Sequence, residues 1–196
     1  MKEKLKIVAC AGSLRAQSFN KRVVQAAAQG AESAGAEVTF IDLLDYPMPI
    51  YNQDDQDKNG FDESALKFQA LLAEADGLLL ASPEYNGSLS AALKNAIDWA
   101  SRPSPQYKAS DVFGGKVAAI MTASPGSFGG LRALAHLRGV LTSCGLIVLP
   151  QEISVTFASE KIDSATLAFK DEKTKALLEN LGVTLVQTLK KIHGIN

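Results

Sequence analysis

The chain has 196 residues, 46% of them hydrophobic, and its 20 basic and 21 acidic residues give a formal net charge of −1. This length suits one domain, residues 1–196, that buries a single core without disulfides. The balanced charge lacks the basic surface that attracts nucleic acids or anionic membranes, so neither is expected as a partner.

The two cysteines, Cys10 and Cys144, lie in apolar segments and are expected to be small buried residues of a reducing compartment. The charged start MKEKLK runs into an apolar segment without signal-peptide features, and no apolar stretch reaches the ~20 residues of a membrane span. The sequence therefore predicts a soluble cytoplasmic protein.

Short apolar segments alternate five times with segments of helical period. Strands are predicted at residues 5–11, 37–42, 77–82, 116–123 and 146–155, and helices at 18–34, 63–75, 90–100, 130–144 and 171–192. The alternation predicts an α/β fold, a three-layer flavodoxin-like sandwich with a five-stranded parallel sheet of order 2-1-3-4-5 and helices on both faces. Residues 43–60 and 102–115 are rich in proline and polar residues and are expected to be irregular, either as surface excursions or as functional loops.

Three loops follow the first, third and fourth strands: GSLRAQSFN (12–20), PEYNGSLS (83–90) and SPGSFGG (124–130). In such a sheet the ligand crevice lies beyond the carboxyl ends of the strands, so these loops are expected to meet there. Gly87 and the glycines of the third loop expose backbone groups, and Tyr85 offers a flat ring with a polar tip. Taken singly, the second and third loops could equally be plain turns.

The first loop has the residues expected of a phosphate site, although it matches neither the dinucleotide fingerprint nor the P-loop. Ser13, Ser18 and Asn20 offer side-chain and backbone donors at a helix N-terminus, and Arg15 offers a guanidinium fork. For Ser18 alone a helix cap is the simpler interpretation. The whole cluster predicts an anion site for a single terminal phosphate.

The motifs GSLR-x-x-S-x-N, PEYN-x-S with LKNAIDW, and SPGSFGG-x-R with HLR resemble the NADPH-dependent FMN reductase family, flavodoxin-like proteins that include quinone, azo-dye and chromate reductases. The resemblance covers most of the chain. It implies that Ser13, Arg15, Ser18 and Asn20 hold the FMN phosphate and ribityl end. It further implies that the isoalloxazine is flanked by Pro83, Glu84, Tyr85, Asn86 and Gly87, and that Ser124 and Gly126 approach its pyrimidine edge.

By the same resemblance, hydride passes from NADPH or NADH to FMN, and electrons pass on to a quinone, free flavin or similar small-molecule acceptor. No side chain is then needed as a catalytic nucleophile, because the flavin N5 carries the chemistry. The family forms homodimers or homotetramers. The tetramer network of the resembled reductases would match Tyr85, Arg132 and Glu152, but a further tyrosine of it falls on Ala135.

Other functions are compatible with the same sequence features. A flavodoxin-type electron carrier or a non-catalytic flavin-binding module would share the fold, although carriers are expected to show a strong charge of one sign. A different nucleotide binder would use Asp42 for a ribose, but a loop cap is the simpler interpretation there. His136 and His193 are far apart in sequence, so no metal site is predicted. Trp99 is expected in the core or an interface.

Overall fold

The structure is a computed structural model that describes residues 4–195, so residues 1–3 and 196 of the predicted domain lie outside the described residues. Five parallel strands form one sheet: β1 (Lys6–Ala11), β2 (Glu37–Asp42), β3 (Gly77–Ala81), β6 (Val117–Ala123) and β7 (Ile147–Val155). A separate hairpin consists of β4 (Glu84–Tyr85) and β5 (Ser88–Leu89). The order of the strands in the sheet is β2-β1-β3-β6-β7. Because β4 and β5 belong to the separate hairpin, this is the predicted order 2-1-3-4-5, which is confirmed.

The helices are α1 (Phe19–Ser33), α2 (Gln53–Asn59), α3 (Glu63–Glu74), α4 (Ala91–Ala100), α5 (Ala109–Phe113), α6 (Leu131–Ser143), α7 (Ala158–Lys161) and α8 (Glu172–His193). The five predicted helices are all present. The residues predicted to begin three of them, Ser18, Ser90 and Asp171, are their N-caps, and each side chain accepts a hydrogen bond from the first helical turn. No helix in the described part of the chain is both long and apolar enough to cross a membrane.

Helices cover both faces of the sheet because alternate residues of each strand point to opposite sides. Ile7 and Ala9 of β1 belong to the core beneath α1 and α8, whereas Val8 and Cys10 belong to the core beneath α3, α4, α5 and α6. The three-layer arrangement places the carboxyl ends of β1, β3 and β6 side by side at one edge of the sheet.

The prediction that residues 43–60 and 102–115 are irregular is wrong in part. The acidic cluster forms α2, in which Asn52 accepts from the Asp54 backbone N–H at 3.0 Å and acidic residues occupy the first turn. Negative charge there is favoured by the helix dipole. The second segment contains α5, whose Val112 and Phe113 are buried against the sheet.

Candidate functional site

The three loops meet in a cleft of about 110 Å³ at the carboxyl edge of the sheet. Phe19, Ala123 and Pro125 also line this cleft. Of the eleven residues predicted to bind the cofactor, the structure brings eight together in the lining: Ser13, Arg15, Ser18, Asn20, Pro83, Glu84, Tyr85 and Ser124. The other three, Asn86, Gly87 and Gly126, lie in the adjoining turns and not in the lining.

Hydroxyl groups and one arginine surround the end of the cleft at the start of α1. Ser18 caps the helix, its Oγ accepting from the Lys21 N–H at 3.4 Å, and the buried Ser13 Oγ accepts from the Arg15 N–H at 3.4 Å. Each hydroxyl therefore keeps its own hydrogen to donate to a ligand. The first N–H groups of a helix lack intrahelical acceptors and add to the positive potential. This end of the cleft suits an anion.

Arg15 is exposed at the same end of the cleft. Within residues 4–195, no carboxylate lies within ion-pair distance of its guanidinium. Its charge is therefore available to a ligand, and a guanidinium can bind two phosphate oxygens at once.

The Asn20 side chain has a structural contact that sequence reasoning missed. Its Nδ2 donates to the Ala123 carbonyl oxygen at 2.9 Å, and its Oδ1 accepts from the Ala123 N–H at 2.9 Å. The amide is buried and joins α1 to the end of β6, 103 residues further along the chain. One hydrogen of Nδ2 and one lone pair of Oδ1 are thus committed to Ala123, so the side chain has a structural role in addition to any contact with a ligand.

Lys21 and Asp42 form an ion pair beside this loop that the sequence did not reveal. The second oxygen of Asp42 accepts from the Leu44 N–H at 3.1 Å, so the prediction that Asp42 caps a loop is confirmed. The fully buried Cys10 lies next to the pair. Burial and the nearby Asp42 charge raise the pKa of its thiol to about 12, partly offset by Lys21. This thiol therefore stays protonated and unreactive at neutral pH.

The second loop is a two-residue hairpin in which Asn86 and Gly87 have φ angles of 53° and 80°. Positive φ at both central positions is the pattern of a type I′ turn, for which Asn-Gly is the favoured sequence. The dipeptide is a hairpin signal that could have been recognised in the sequence. It turns Tyr85, which is 51% exposed, toward the rim of the cleft.

Glu84 begins the hairpin and directs its carboxylate to the start of α6. One oxygen accepts from the Arg132 side chain, at 2.7 Å from Nε and 2.6 Å from a terminal nitrogen. The other accepts from the backbone N–H groups of Arg132 and Ala133 at 3.1 and 3.4 Å. The helix N-cap is Gly130, which has no capping side chain, so Glu84 takes that role. The hairpin and α6 are thereby held together.

The third loop folds back on itself. Ser124 Oγ accepts from the Gly126 N–H at 3.2 Å, and the Gly126 carbonyl accepts from the Gly129 N–H at 3.2 Å. Gly130 has a φ of 91°, and a Cβ there would lie 2.2 Å from the Thr122 hydroxyl oxygen. The glycines are needed for this turn, and one of the N–H groups expected to face a ligand is already bonded to Ser124.

Among residues 4–195, no hydrogen bond, ion pair or ring contact joins Tyr85, Arg132 and Glu152, the three residues predicted for a tetramer network, to one another. Arg132 pairs with Glu84, and Glu152 pairs with Arg138 at 2.6 Å. Arg138 also donates to the Leu149 carbonyl at 2.9 Å, where β7 forms a bulge. Whether Tyr85, Arg132 and Glu152 meet between subunits stays a prediction.

Trp99 confirms its prediction as a core residue. It is 3% exposed, its Nε1 donates to the Pro49 carbonyl at 2.8 Å, and its ring packs edge-on against Tyr51 and Phe61. It therefore anchors residues 43–60 to α4.

The expectation for the cysteines holds only in part, since Cys10 is buried and Cys144 half-buried, both unpaired. His136 Nδ1 lies 2.9 Å from the Ser88 hydroxyl oxygen. No group of three potential metal-binding side chains occurs in the part of the chain described by the structure.

Residues 5–160 match the model of the family described as NADPH-dependent FMN reductase. The chain is 42% identical to a 2-hydroxy-1,4-benzoquinone reductase from a Burkholderia species over 82% of this chain and 83% of that protein. It is 35% identical to an NAD(P)H-dependent FMN reductase of Pseudomonas aeruginosa, over 99% and 100% of the two chains. The solved structure of FerB, a flavoenzyme NAD(P)H:(acceptor) oxidoreductase from Paracoccus denitrificans, is similar with a TM-score of 0.78 and 30% identity over 95% and 98% of the chains.

Proposed function

Since the chain belongs to the NADPH-dependent FMN reductase family and is an FMN-dependent oxidoreductase, we propose that it passes electrons from NADPH or NADH to quinones, free flavins or similar small acceptors. The observation that carries the proposal is the cleft at the start of α1, where Ser13, Ser18 and the unpaired Arg15 surround one anion-sized space. A quinone is supported as the acceptor by the Burkholderia relative, which is named a 2-hydroxy-1,4-benzoquinone reductase.

The residues of the cleft fit the phosphate end of FMN in size and in donor chemistry. A volume of about 110 Å³ is well below the roughly 300–1,000 Å³ of sites that enclose a whole organic ligand. The cleft therefore suits the phosphate end of FMN, and the flat ring system would lie against the hairpin that carries Tyr85. Glu84 adds no net repulsion of the phosphate, because Arg132 and the start of α6 neutralise its carboxylate.

Bound FMN supplies the hydride and electron chemistry. The chain contributes binding and orientation. Arg15, Ser13 and Ser18 would hold the phosphate, Pro83 and the hairpin would position the ring, and the Ser124 hydroxyl would donate to its polar edge. The buried amide of Asn20 fixes the distance between the first and third loops and so keeps these donors in register.

We also propose that residues 1–196 act as one FMN-binding domain in the cytoplasm and form a homodimer or homotetramer. The unpaired cysteines support a reducing compartment. The oligomer is supported by an open groove of about 830 Å³ between the hairpin, α4 and α6. On α6, Ala135, Gly139 and Ser143 line this groove at a spacing of four residues, which leaves room for a helix of a second copy.

The test is to purify the protein, titrate it with FMN and follow NADPH and NADH oxidation with 1,4-benzoquinone present. We expect a yellow protein with one FMN per chain and acceptor-dependent oxidation of a nicotinamide. Protein that neither binds FMN nor consumes either nicotinamide would contradict the proposal. Tight FMN binding without turnover would instead favour an electron carrier or a non-catalytic flavin-binding module.

A further inference from the structure

Large hydrophobic side chains are exposed at the carboxyl end of the sheet, the end at which the cleft lies. Of the eleven such residues found among positions 4–195, seven lie beside the loops that follow the carboxyl ends of the strands, including Leu14, Tyr85, Phe128 and Phe157. Single exposed hydrophobic residues are ordinary, but their concentration beside a cleft indicates contact with an apolar ligand or partner.

Phe128 is 65% exposed, more than any other aromatic residue in this group, and its backbone is fixed. Its carbonyl oxygen accepts from the Leu131 N–H at 3.0 Å and from the Ser154 hydroxyl at 3.2 Å. The bond from the Gly129 N–H to the Gly126 carbonyl closes the turn around it. The exposed ring is thus attached to a well-bonded turn three residues after Pro125, which lines the cleft.

The ring is also held from one side by a charge. The Arg132 guanidinium carbon lies 5.4 Å from the centroid of Phe128, and Arg132 is fixed by Glu84 through two bonds of 2.6 and 2.7 Å. Glu84 itself lines the cleft. The contact of Phe128 with Arg132, and that of Arg132 with Glu84, therefore connect the ring to the cleft wall. Because Arg132 lies over one face of the ring, the opposite face is the one available to a ligand.

We propose that Phe128 is a specificity-determining residue that stacks a planar, conjugated electron acceptor of the quinone class at the mouth of the cleft. The inference rests on the proposed function, since it concerns the acceptor of that same site. A flat conjugated ring gains from stacking on an aromatic face that is held in place, and Arg132 on the opposite face of Phe128 keeps the ring in position. An acceptor without a flat face gains nothing from Phe128.

The experiment compares Phe128→Ala and Phe128→Tyr with wild-type holoenzyme. We expect Phe128→Ala to raise KM for 1,4-naphthoquinone about fivefold and to leave kcat and the kinetics with ferricyanide, which has no face to stack, within about twofold. Phe128→Tyr should retain the wild-type KM. Titration of the oxidised holoenzyme with 1-naphthol, a planar ring that is not reduced, should show the same loss of affinity for Phe128→Ala. Phe40→Ala, which removes an exposed ring from the edge strand β2, is the matched control.

Equal kinetics of Phe128→Ala and wild type with naphthoquinone, or equal losses with both acceptors, would overturn the inference. A change in oligomeric state of Phe128→Ala, measured by sedimentation velocity, would also overturn it by assigning the ring to a subunit interface. These outcomes are distinguishable from failure of the proposed function, in which the wild-type protein itself neither binds FMN nor oxidises a nicotinamide.

Discussion

At the scale of single residues, Arg15 is the side chain on which the phosphate site depends most. Among the described residues, it is the only lysine or arginine in the cleft lining, and no carboxylate forms an ion pair with it. We expect Arg15→Ala to weaken FMN binding by about 1–3 kcal/mol, because a charge-assisted hydrogen bond to the phosphate is lost. Titration of the apoprotein with FMN, followed by flavin fluorescence, measures the change.

Arg15→Lys should recover only part of this loss, because an ammonium cannot bind two oxygens in the planar geometry of a guanidinium. Lys173→Ala, which removes an exposed cation from the start of α8, is the matched control and should bind FMN as wild type does. An FMN dissociation constant unchanged in Arg15→Ala would remove Arg15 from the site.

Some contacts of individual residues could be predicted from the sequence and others could not. Ser18 could be assigned correctly because a cap and its helix are neighbours in the chain. The partners of Asn20 and Glu84 could not, because they lie 103 and 48 residues away. Local pattern reveals which residue types a loop contains, whereas the choice between ligand and structural contact depends on tertiary neighbours.

At the scale of elements, strands and helices were predictable where periodicity and caps agreed, as in α4 between Ser90 and Ala100. The short elements were missed. No residue of α2 is buried, so the helix has no apolar stripe to recognise. The hairpin strands have two residues each and are too short to show a period.

The packing of α1 on α8 gives a prediction that belongs to this scale. A Cβ on Gly182 would lie 1.9 Å from the Ala27 carbonyl oxygen, so the two helices contact backbone to backbone. We expect Gly182→Ala to lower the free energy of unfolding by about 1–3 kcal/mol, because the helices must separate. Urea denaturation of the apoprotein measures this.

Gln187→Ala, at an exposed position of the same helix α8, is the matched control. It enters no close helix contact and should leave the free energy of unfolding within about 0.5 kcal/mol of wild type. Equal effects of the two substitutions would show that the close crossing of α1 and α8 does not limit stability.

At the scale of the whole molecule, the order of the sheet followed from the alternation of strand and helix, because right-handed crossovers leave few arrangements for five parallel strands. The assembly of subunits has no such rule. The way in which subunits assemble depends on the shape of their surfaces. The surface feature that supports an oligomer is the groove between the hairpin, α4 and α6, with a volume of about 830 Å³.

Gly139 lines that groove, and a Cβ added there meets no atom of its own chain within 4 Å. Gly139→Arg should therefore leave the fold of the subunit intact while it fills the space that a second copy needs. We expect sedimentation velocity to show a dimer or tetramer for wild type and a 20.8 kDa monomer for Gly139→Arg at the same concentration. Gln187→Arg, which adds the same charge to an exposed position of α8, should stay assembled. A Gly139→Arg protein that remains fully assembled would place the interface elsewhere, because an arginine cannot fit between two closely packed helices at this position.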